Sequence, residues 1–363
     1  MILLFFGTIF AIQGVYWFAL HRGFRKAQAT AGSMAPERRP PVSVLVAARN
    51  EEEDLPALLD ALRQQCYPEY EIVVVDDASD DTTPHLVEDV ARTDGRFRLV
   101  RVTKPVAPRK KNALTIGVEQ AKHELLALTD ADCTPLPQWL EGIAAYQHHA
   151  SPSTPILLVG YSPFRKTRGV LNALARYETF VTGYLTAAAI GLGKPYMAVG
   201  RNLSYPRSVF RAVDGFEHSL QSLSGDDDLF VQEVARRETA RIVHMFDPRT
   251  FVPTDAPRTW RAWFRQKTRH TSASKFYHRD IQVHLAVFHT TGILLWAAPF
   301  FLGWTGAGLL ATKLLAQWFA LRHAARILHE RDLVAPQPLL EFGYTLYTLL
   351  IAPIGVLRMP KRW

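Results

Sequence analysis

Two aspartates, separated by one alanine, follow a short apolar run in the segment LLALTDADCTP, residues 125–135. Asp130 and Asp132 repel each other at this spacing, and burying two unpaired carboxylates is costly. One interpretation is a turn, because aspartate side chains hydrogen-bond to the backbone there. The other is a cation site, in which both carboxylates share a hard divalent ion that also binds phosphates.

Polar and acidic side chains also follow two earlier apolar runs. Asn50 and Glu51 come after the first run, and Asp76 and Asp77 come after the second. Because ligands of open α/β sheets bind at the carboxyl ends of the strands, we expect all these side chains to converge on one rim. A metal ion supplies the cationic charge that such a rim requires, and a nucleotide's base and ribose offer donors to carboxylates. The sequence therefore predicts a metal- and nucleotide-binding site.

The elements that must position this rim alternate along the chain. Buried-strand patterns cover residues 42–47, 72–75 and 97–102, and helical spacing of apolar residues covers 55–62 and 83–91. Strand–helix–strand–helix–strand is typical of an open parallel sheet with helices on both faces. The predicted fold class is therefore α/β.

Several of these segments resemble motifs of a known family. VSVLVAARNEE, VVVDDASDDT, KKNALTIGVEQA and LTDADC resemble inverting glycosyltransferases of family 2. Further along, SGDDDLF and RQKTRH resemble the acidic base motif and the Q-x-x-R-W motif of membrane-bound members such as cellulose and hyaluronan synthases. The resemblance covers about residues 42–275. It implies the GT-A fold, a Rossmann-like domain that binds a nucleotide sugar.

The resemblance also implies roles for single residues. Glu51 and Asp77 would contact the base and ribose of the nucleotide. Lys111, with Lys110 or Asn112 nearby, would approach the base or the diphosphate. Asp130 and Asp132 form the D-x-D pair, in which Asp132 would be the closer metal ligand and Asp130 would contact ribose or metal. The expected ion is Mg²⁺ or Mn²⁺.

The acidic base motif contains three consecutive aspartates. By analogy with the family we expect the general base at Asp227, flanked by Asp226 and Asp228, which should raise its proton affinity. The alternative is a solvated acidic loop stabilised by the dipole of the following helix. The accompanying motifs favour catalysis.

The last motif places three residues near the donor and the acceptor. Gln266 and Arg269 occupy its first and fourth positions, and Arg269 would hold diphosphate oxygens. His270 stands on the acceptor side, where the family usually has tryptophan. In processive synthases that tryptophan stacks on the acceptor sugar, so His270 disfavours a long polysaccharide acceptor.

Charge and cysteine content narrow the class of protein. Lys+Arg is 42 against 34 Asp+Glu, a net charge of +8 that fits nucleic acid, an anionic membrane or phosphate-bearing substrates. We do not expect nucleic acid as a partner, since it gives no reason for the apolar segments at both ends. The two cysteines provide neither a disulfide framework nor zinc spacing, and they suit a reducing compartment.

The N-terminal apolar segment predicts membrane insertion. Residues 1–20 carry no charge and can cross a bilayer, and the basic cluster at 21–26 follows them. A cleaved signal peptide would carry its positive charge before the apolar run. We therefore expect an integral protein of the inner or plasma membrane, with its catalytic domain in the cytoplasm.

The predicted domains follow from these segments. They are a transmembrane helix (1–21), a linker (22–41), a GT-A domain (42–257), an amphipathic interfacial helix (258–282) and a C-terminal membrane region (283–363). The last region has two or three segments, with candidates at 284–304, 307–321 and 339–357. A buried helical core is the alternative for these segments.

Together these features predict a metal-dependent, inverting sugar transfer from a UDP-sugar or GDP-sugar to a membrane lipid or lipid-linked glycan. A processive polysaccharide synthase is the second hypothesis, and the few C-terminal segments also argue against it because they leave little material for a polymer channel. A catalytically silent nucleotide-binding scaffold is the third. The combination of Asp132 with Asp227 argues against a scaffold, which needs no such pair.

Overall fold

The computed structural model describes residues 1–32, 39–147 and 153–357, which divide into two compact units. The α/β unit contains Gln28–Arg165 and Pro195–Asp255. The helical unit contains Met1–Ala27, Lys166–Lys194 and the described residues from Ala256 onward.

A seven-stranded mixed sheet forms the centre of the α/β unit, in the order β3-β2-β1-β4-β6-β5-β7. The strands are β1 (Val42–Ala48), β2 (Tyr70–Asp76), β3 (Phe97–Arg101), β4 (Leu125–Asp130), β5 (Ile156–Val159), β6 (Leu203–Pro206) and β7 (Arg241–His244). The first four pair in parallel, and β6 runs antiparallel to both of its neighbours.

The α-helices of the described residues are numbered along the chain. They are α1 (Ile2–Thr30), α2 (Leu55–Arg63), α3 (Thr83–Thr93), α4 (Arg109–Gln120), α5 (Trp139–Tyr146), α6 (Val170–Gly191), α7 (Arg207–Ala212), α8 (Asp228–Arg237), α9 (Trp260–Thr271), α10 (Arg279–Leu295), α11 (Ala298–Ile327) and α12 (Gln337–Leu357).

The β-branched and apolar runs form the central strands, as the sequence predicts. β1 and β2 are buried at every position, which is typical of strands covered on both faces. The predicted strands 42–47, 72–75 and 97–102 correspond to β1, β2 and β3, with ends shifted by one or two residues. The predicted α/β fold class is therefore confirmed. The sheet is mixed rather than parallel throughout, because β6 runs antiparallel to β4 and β5.

The register of the sheet aligns the ends of three strands. Ala47 of β1 lies opposite Asp130 of β4, and Ala48 lies opposite Asp76 of β2. The acidic residues that follow these strands consequently lie along one edge of the sheet, as expected for parallel neighbours.

The N-terminal helix is longer than predicted. α1 continues to Thr30, past the expected end at residue 21, so the first part of the predicted linker 22–41 is helical. Arg25, Lys26 and Ala27 favour helix, and nothing in this stretch interrupts it. Among the described residues, α1 is the helix that is long and apolar enough to cross a membrane by itself.

The predicted span 284–304 is not one continuous helix. α10 ends at Leu295 and α11 begins at Ala298, and the two are bent by 85°. Pro299 lies in the first turn of α11, where its ring restricts the preceding residue and removes an N–H. The predicted span 307–321 lies within α11, and 339–357 corresponds to α12.

Two further boundaries differ from the predictions. The predicted interfacial helix 258–282 consists of α9, a 3₁₀ turn at Ser272–Phe276 and the start of α10. Within α9, Trp263 is 1% exposed and packs against Tyr347 of α12, so this ring does not face outward. The predicted domain 42–257 is also interrupted, since α6 belongs to the helical unit.

Candidate active site

Lys110 holds together two of the predicted acidic motifs. Its Nζ lies 2.9 Å from Oδ1 of Asp130 and 2.9 Å from Oδ2 of Asp226. Asp130 ends β4, Asp226 precedes α8, and Lys110 lies in the first turn of α4. The structure therefore brings the D-x-D pair and the acidic base motif into one site of the α/β unit.

The neighbouring lysine faces elsewhere. Nζ of Lys111 donates to the carbonyl oxygen of Ser219 at 2.7 Å, to its hydroxyl at 3.0 Å and to the carbonyl oxygen of Ser222 at 3.1 Å. The side chain is buried, and this burial lowers the pKa of Lys111 to about 8. The Lys111 ammonium thus holds the Ser219–Ser222 loop, and Lys110 is the lysine that pairs with Asp130 and Asp226. The predicted contact of Lys111 with the base or the diphosphate stays a prediction.

Glu51 and Asp132 lie on the acidic rim. Burial, together with the nearby charge of Asp132, raises the pKa of Glu51 to about 7. Desolvation and Asp130 likewise raise the pKa of Asp132, and the charge of Arg201 opposes this shift. Residue Asp132 as a whole is exposed, and no ion pair to its carboxylate is found in the described parts of the chain. This crowding of negative charge favours a cation at the rim.

Asp77 has an arginine partner that the sequence analysis did not identify. Nε of Arg109 lies 2.7 Å from Oδ2 of Asp77, and the Asp77 side chain is fully buried. Burial raises the pKa of this carboxyl, and the Arg109 guanidinium partly opposes the shift. The predicted contact of Asp77 with a nucleotide stays a prediction, because the carboxylate faces Arg109 in this structure.

The three consecutive aspartates have separate partners. Asp227 caps α8, with Oδ1 accepting from the N–H of Asp228 at 2.8 Å and Oδ2 accepting from the N–H of Gly200 at 2.9 Å. Asp228 accepts from the N–H of Ala198 at 2.9 Å. Asp226 pairs with the lysine described above. The capping interaction expected of an acidic loop therefore coexists with an ion-paired site.

Asp226 and Asp227 differ in proton affinity. Burial acts to raise the pKa of Asp226, but the adjacent Lys110 ammonium brings it below its ordinary value. The pKa of Asp227 is raised by burial and by the charge of Asp226. Asp226 is therefore the more firmly ionised of the two, and Asp227 is the better proton acceptor, as expected for a general base.

Gly200 allows the backbone to approach these carboxylates. A Cβ at this position would lie 3.1 Å from Oδ2 of Asp226 and 3.5 Å from Oδ2 of Asp227. The glycine thus contributes both space and the N–H that orients Asp227. No motif in the sequence singled out this residue.

The Q-x-x-R residues lie in the helical unit. Gln266, Arg269 and His270 are half-buried on α9, whose Lys267 forms a buried ion pair with Glu178 of α6. This pair anchors α9 to α6 within the unit. The predicted contacts of the three residues with donor and acceptor stay predictions.

The acidic rim fits a small divalent cation. Carboxylate oxygens are the ligands that Mg²⁺ prefers, and this ion usually takes one or two carboxylates plus substrate phosphates. Among the described residues, no three His, Cys, Asp or Glu side chains converge as a complete ligand set. Asp132, with Asp130 beside it, would supply the protein ligands, and the remaining positions suit water and diphosphate oxygens.

A solved structure with a similar fold indicates the fold class of the α/β unit. A mannosyltransferase, PcManGT from Pyrobaculum calidifontis in complex with GDP-Man and Mn²⁺, is similar over 92% of this chain and 99% of its own, with a TM-score of 0.57 and 21% identity. At this identity the likeness concerns the fold. The α/β unit therefore has the GT-A fold of nucleotide-sugar-dependent glycosyltransferases.

The family follows from the sequence comparisons. Residues 43–212 match the model of glycosyl transferase family 2, and the chain carries a domain of that family. The probable glycosyltransferase YdaM of Bacillus subtilis is 26% identical over 65% of this chain. The beta-monoglucosyldiacylglycerol synthase of Trichormus variabilis is 35% identical over 26% of it. The chain spans 56% of the length of YdaM and 20% of that of the synthase.

Proposed function

We propose that this chain transfers a sugar from a nucleotide-sugar donor to a membrane-associated acceptor, with inversion and with the help of a divalent cation. The observation that carries the proposal is the position of Lys110, 2.9 Å from both Asp130 and Asp226. This lysine joins a candidate cation site to a candidate base motif, and a sugar transfer needs both.

The cation is needed because negative charge develops on the leaving group. A sugar that leaves a nucleoside diphosphate places negative charge on the departing diphosphate, and a bound Mg²⁺ or Mn²⁺ would neutralise this charge. Asp132 and Asp130 would hold the ion. Lys110 adds a fixed positive charge beside them. The donor in this proposal is a UDP-sugar or a GDP-sugar.

The acceptor hydroxyl needs a base because it is a weak nucleophile. Asp227 would take its proton, and a base on the side opposite the leaving group gives inversion. Two backbone N–H groups orient this carboxylate and leave lone pairs for the acceptor proton. Its raised pKa suits the task.

The membrane assignment rests on α1 and its basic end. α1 is apolar over a length that spans a bilayer, and Arg22, Arg25 and Lys26 follow the apolar part. Positive charge favours the cytoplasmic side, where nucleotide sugars are found. The Trichormus relative is named for a lipid product, which supports a lipid or lipid-linked acceptor.

A donor panel tests the reaction. Full-length protein in lipid nanodiscs would be incubated with UDP- and GDP-sugars, and nucleoside diphosphate release would be measured with Mn²⁺, with chelator and after re-addition of Mn²⁺. We expect release with one donor class, loss in chelator and recovery on re-addition. Full activity in chelator would overturn the role of the cation, and no release with any donor would argue for a nucleotide-binding scaffold.

A further inference from the structure

An open apolar groove of about 550 Å³ runs along α1 in the helical unit. Its lining includes Ile12, Val15 and Ala19 of α1, Val287 of α10 and Leu192 just after α6. Val15 is 69% exposed and Leu192 41%, so the groove is unfilled by the described residues. A volume of this size suits a small organic ligand or a hydrocarbon chain.

A smaller pocket of about 200 Å³ adjoins this groove and has a different character. Arg22 and Lys26 line it, and it shares Ala19 and Leu192 with the groove. No aspartate or glutamate is among the described residues that line either cavity. We call the two cavities the α1 groove and the basic pocket. Together they form one continuous surface, apolar at one end and cationic at the other.

Close contact between two glycines forms the floor of the basic pocket. A Cβ at Gly23 would lie 2.4 Å from the carbonyl oxygen of Ala188, and a Cβ at Gly191 would lie 1.9 Å from the carbonyl oxygen of Gly23. α1 and the end of α6 are therefore in backbone contact. This contact fixes the position of the basic pocket relative to Leu192.

We propose that the α1 groove and the basic pocket bind one membrane lipid with an anionic phosphate headgroup. The hydrocarbon chain would occupy the groove, and the headgroup would lie against Arg22 and Lys26. The lining from Thr8 to Leu20 extends about 18 Å along the helix axis, at 1.5 Å per residue. Charge complementarity selects an anionic headgroup over a zwitterionic one. The site lies wholly in the helical unit.

This inference rests on the proposed membrane association of α1, and two measurements keep the two ideas separate. Flotation with vesicles reports association of the whole protein with a bilayer. Native mass spectrometry of the full chain, released from nanodiscs of phosphatidylglycerol and phosphatidylcholine, reports a lipid that stays bound. We expect one retained phosphatidylglycerol per chain, and inorganic phosphate should not displace it.

Matched variants locate the site. Replacing Arg22→Gln together with Lys26→Gln should weaken phosphatidylglycerol binding about 30-fold, since each charge near an anionic headgroup contributes about fivefold. Ala19→Trp should block the junction of the two cavities and abolish retention. Arg25→Gln is the control, because Arg25 is on the same helix but lines neither cavity. Flotation should be unchanged in all three.

Three outcomes would overturn the proposal. Equal retention of phosphatidylcholine would mean annular lipid only. An equal loss of phosphatidylglycerol binding in the Arg25→Gln variant would mean a diffuse charge effect. Displacement of the lipid by inorganic phosphate would mean an anion site that binds no lipid chain. Failure of wild-type flotation would refute membrane association itself, which is a separate result.

Discussion

Lys110 and Asp130 form an ion pair of 2.9 Å at the edge of the sheet, so the first aspartate of the D-x-D pair already has a cationic partner. A divalent ion that approaches Asp130 must share this carboxylate with the lysine. Asp132 has no such ion-pair partner among the described residues. The two aspartates are therefore unequal, and several measurable consequences follow from the difference.

The first prediction separates the two adjacent lysines. Lys110→Gln should lower turnover about 100-fold, because the carboxylates of Asp130 and Asp226 lose their shared counter-charge. Lys111→Met should instead lower the free energy of unfolding by about 1–3 kcal/mol, because the backbone acceptors at Ser219 and Ser222 lose a buried donor. Steady-state kinetics and thermal unfolding distinguish the effects. The reverse pattern would show that Lys111, and not Lys110, acts in turnover.

The second prediction separates binding from chemistry. Asp132→Asn should weaken Mn²⁺-dependent donor binding about tenfold or more, since a metal ligand is lost. Asp227→Asn should leave donor affinity near the wild-type value and lower kcat by about 10²–10⁴-fold, as expected for a base. Calorimetric donor titration and kinetics measure the two quantities. Equal losses of affinity in both variants would show that Asp227 is not the base.

The third prediction concerns pH. The folded pKa of Glu51 is about 7, above its ordinary value of 4.5, so folding favours the protonated form. This contribution to stability is complete below about pH 4.5 and is lost as pH rises through about 7. Glu51→Gln should therefore unfold at a higher temperature than wild type at pH 8 in chelator, and the difference should vanish at pH 4.5.

A matched control identifies the source of that effect. Glu53→Gln removes the same charge from an exposed neighbour, and its unfolding temperature should follow the wild-type pH dependence. If the unfolding temperatures of the Glu51 and Glu53 variants depended on pH in the same way, the acidic rim would not be the origin of the effect at Glu51.

The fourth prediction tests the approach of the backbone at Gly200. Gly200→Ala places a methyl group 3.1 Å from Oδ2 of Asp226, which is tighter than normal contact, so the acidic loop must move. We expect a loss of kcat with a smaller change in unfolding temperature. Gly95→Ala is the control, because a Cβ there meets no atom within 4 Å. Normal turnover of the Gly200 variant would show that the position of Asp227 is not critical.

The fifth prediction uses a cysteine that the chain already contains. Cys66 is exposed in the α/β unit, whereas Cys133 is buried. A membrane-impermeant maleimide should therefore label wild-type protein in inverted vesicles but not in intact cells, and Cys66→Ser should abolish the signal. Labelling from outside intact cells would overturn the cytoplasmic orientation.

The central sheet could be predicted from the sequence because its strands are short, β-branched and buried on both faces. The sequence did not predict α6, and the reason is physical. Seventeen of its 22 residues are buried, so the helix lacks the polar face that produces a 3.6-residue pattern. The break between α10 and α11 was also missed, although Pro299 marked its position.

Part of the candidate site could also be predicted from the sequence. The sequence predicted that Glu51, Asp77, Asp130 and Asp132 lie together, because each follows a strand and the ends of neighbouring parallel strands lie at the same edge of the sheet. The choice between Lys110 and Lys111 depends on how α4 is rotated about its axis, and consecutive residues on a helix point about 100° apart. The partner of Asp77, Arg109, depends on the same rotation. This rotation is seen only in the structure.

The N-terminal helix is not a detachable tether. Trp17 and Phe24 stack against Tyr184 of α6, and the amide of Gln13 donates to the carbonyl oxygen of Phe288 at 2.8 Å. Cutting the chain after α1 to obtain an easily purified fragment would leave these aromatic and backbone surfaces uncovered. Anyone preparing this protein for biochemistry should therefore keep residues 1–30 and supply a detergent or lipid for them.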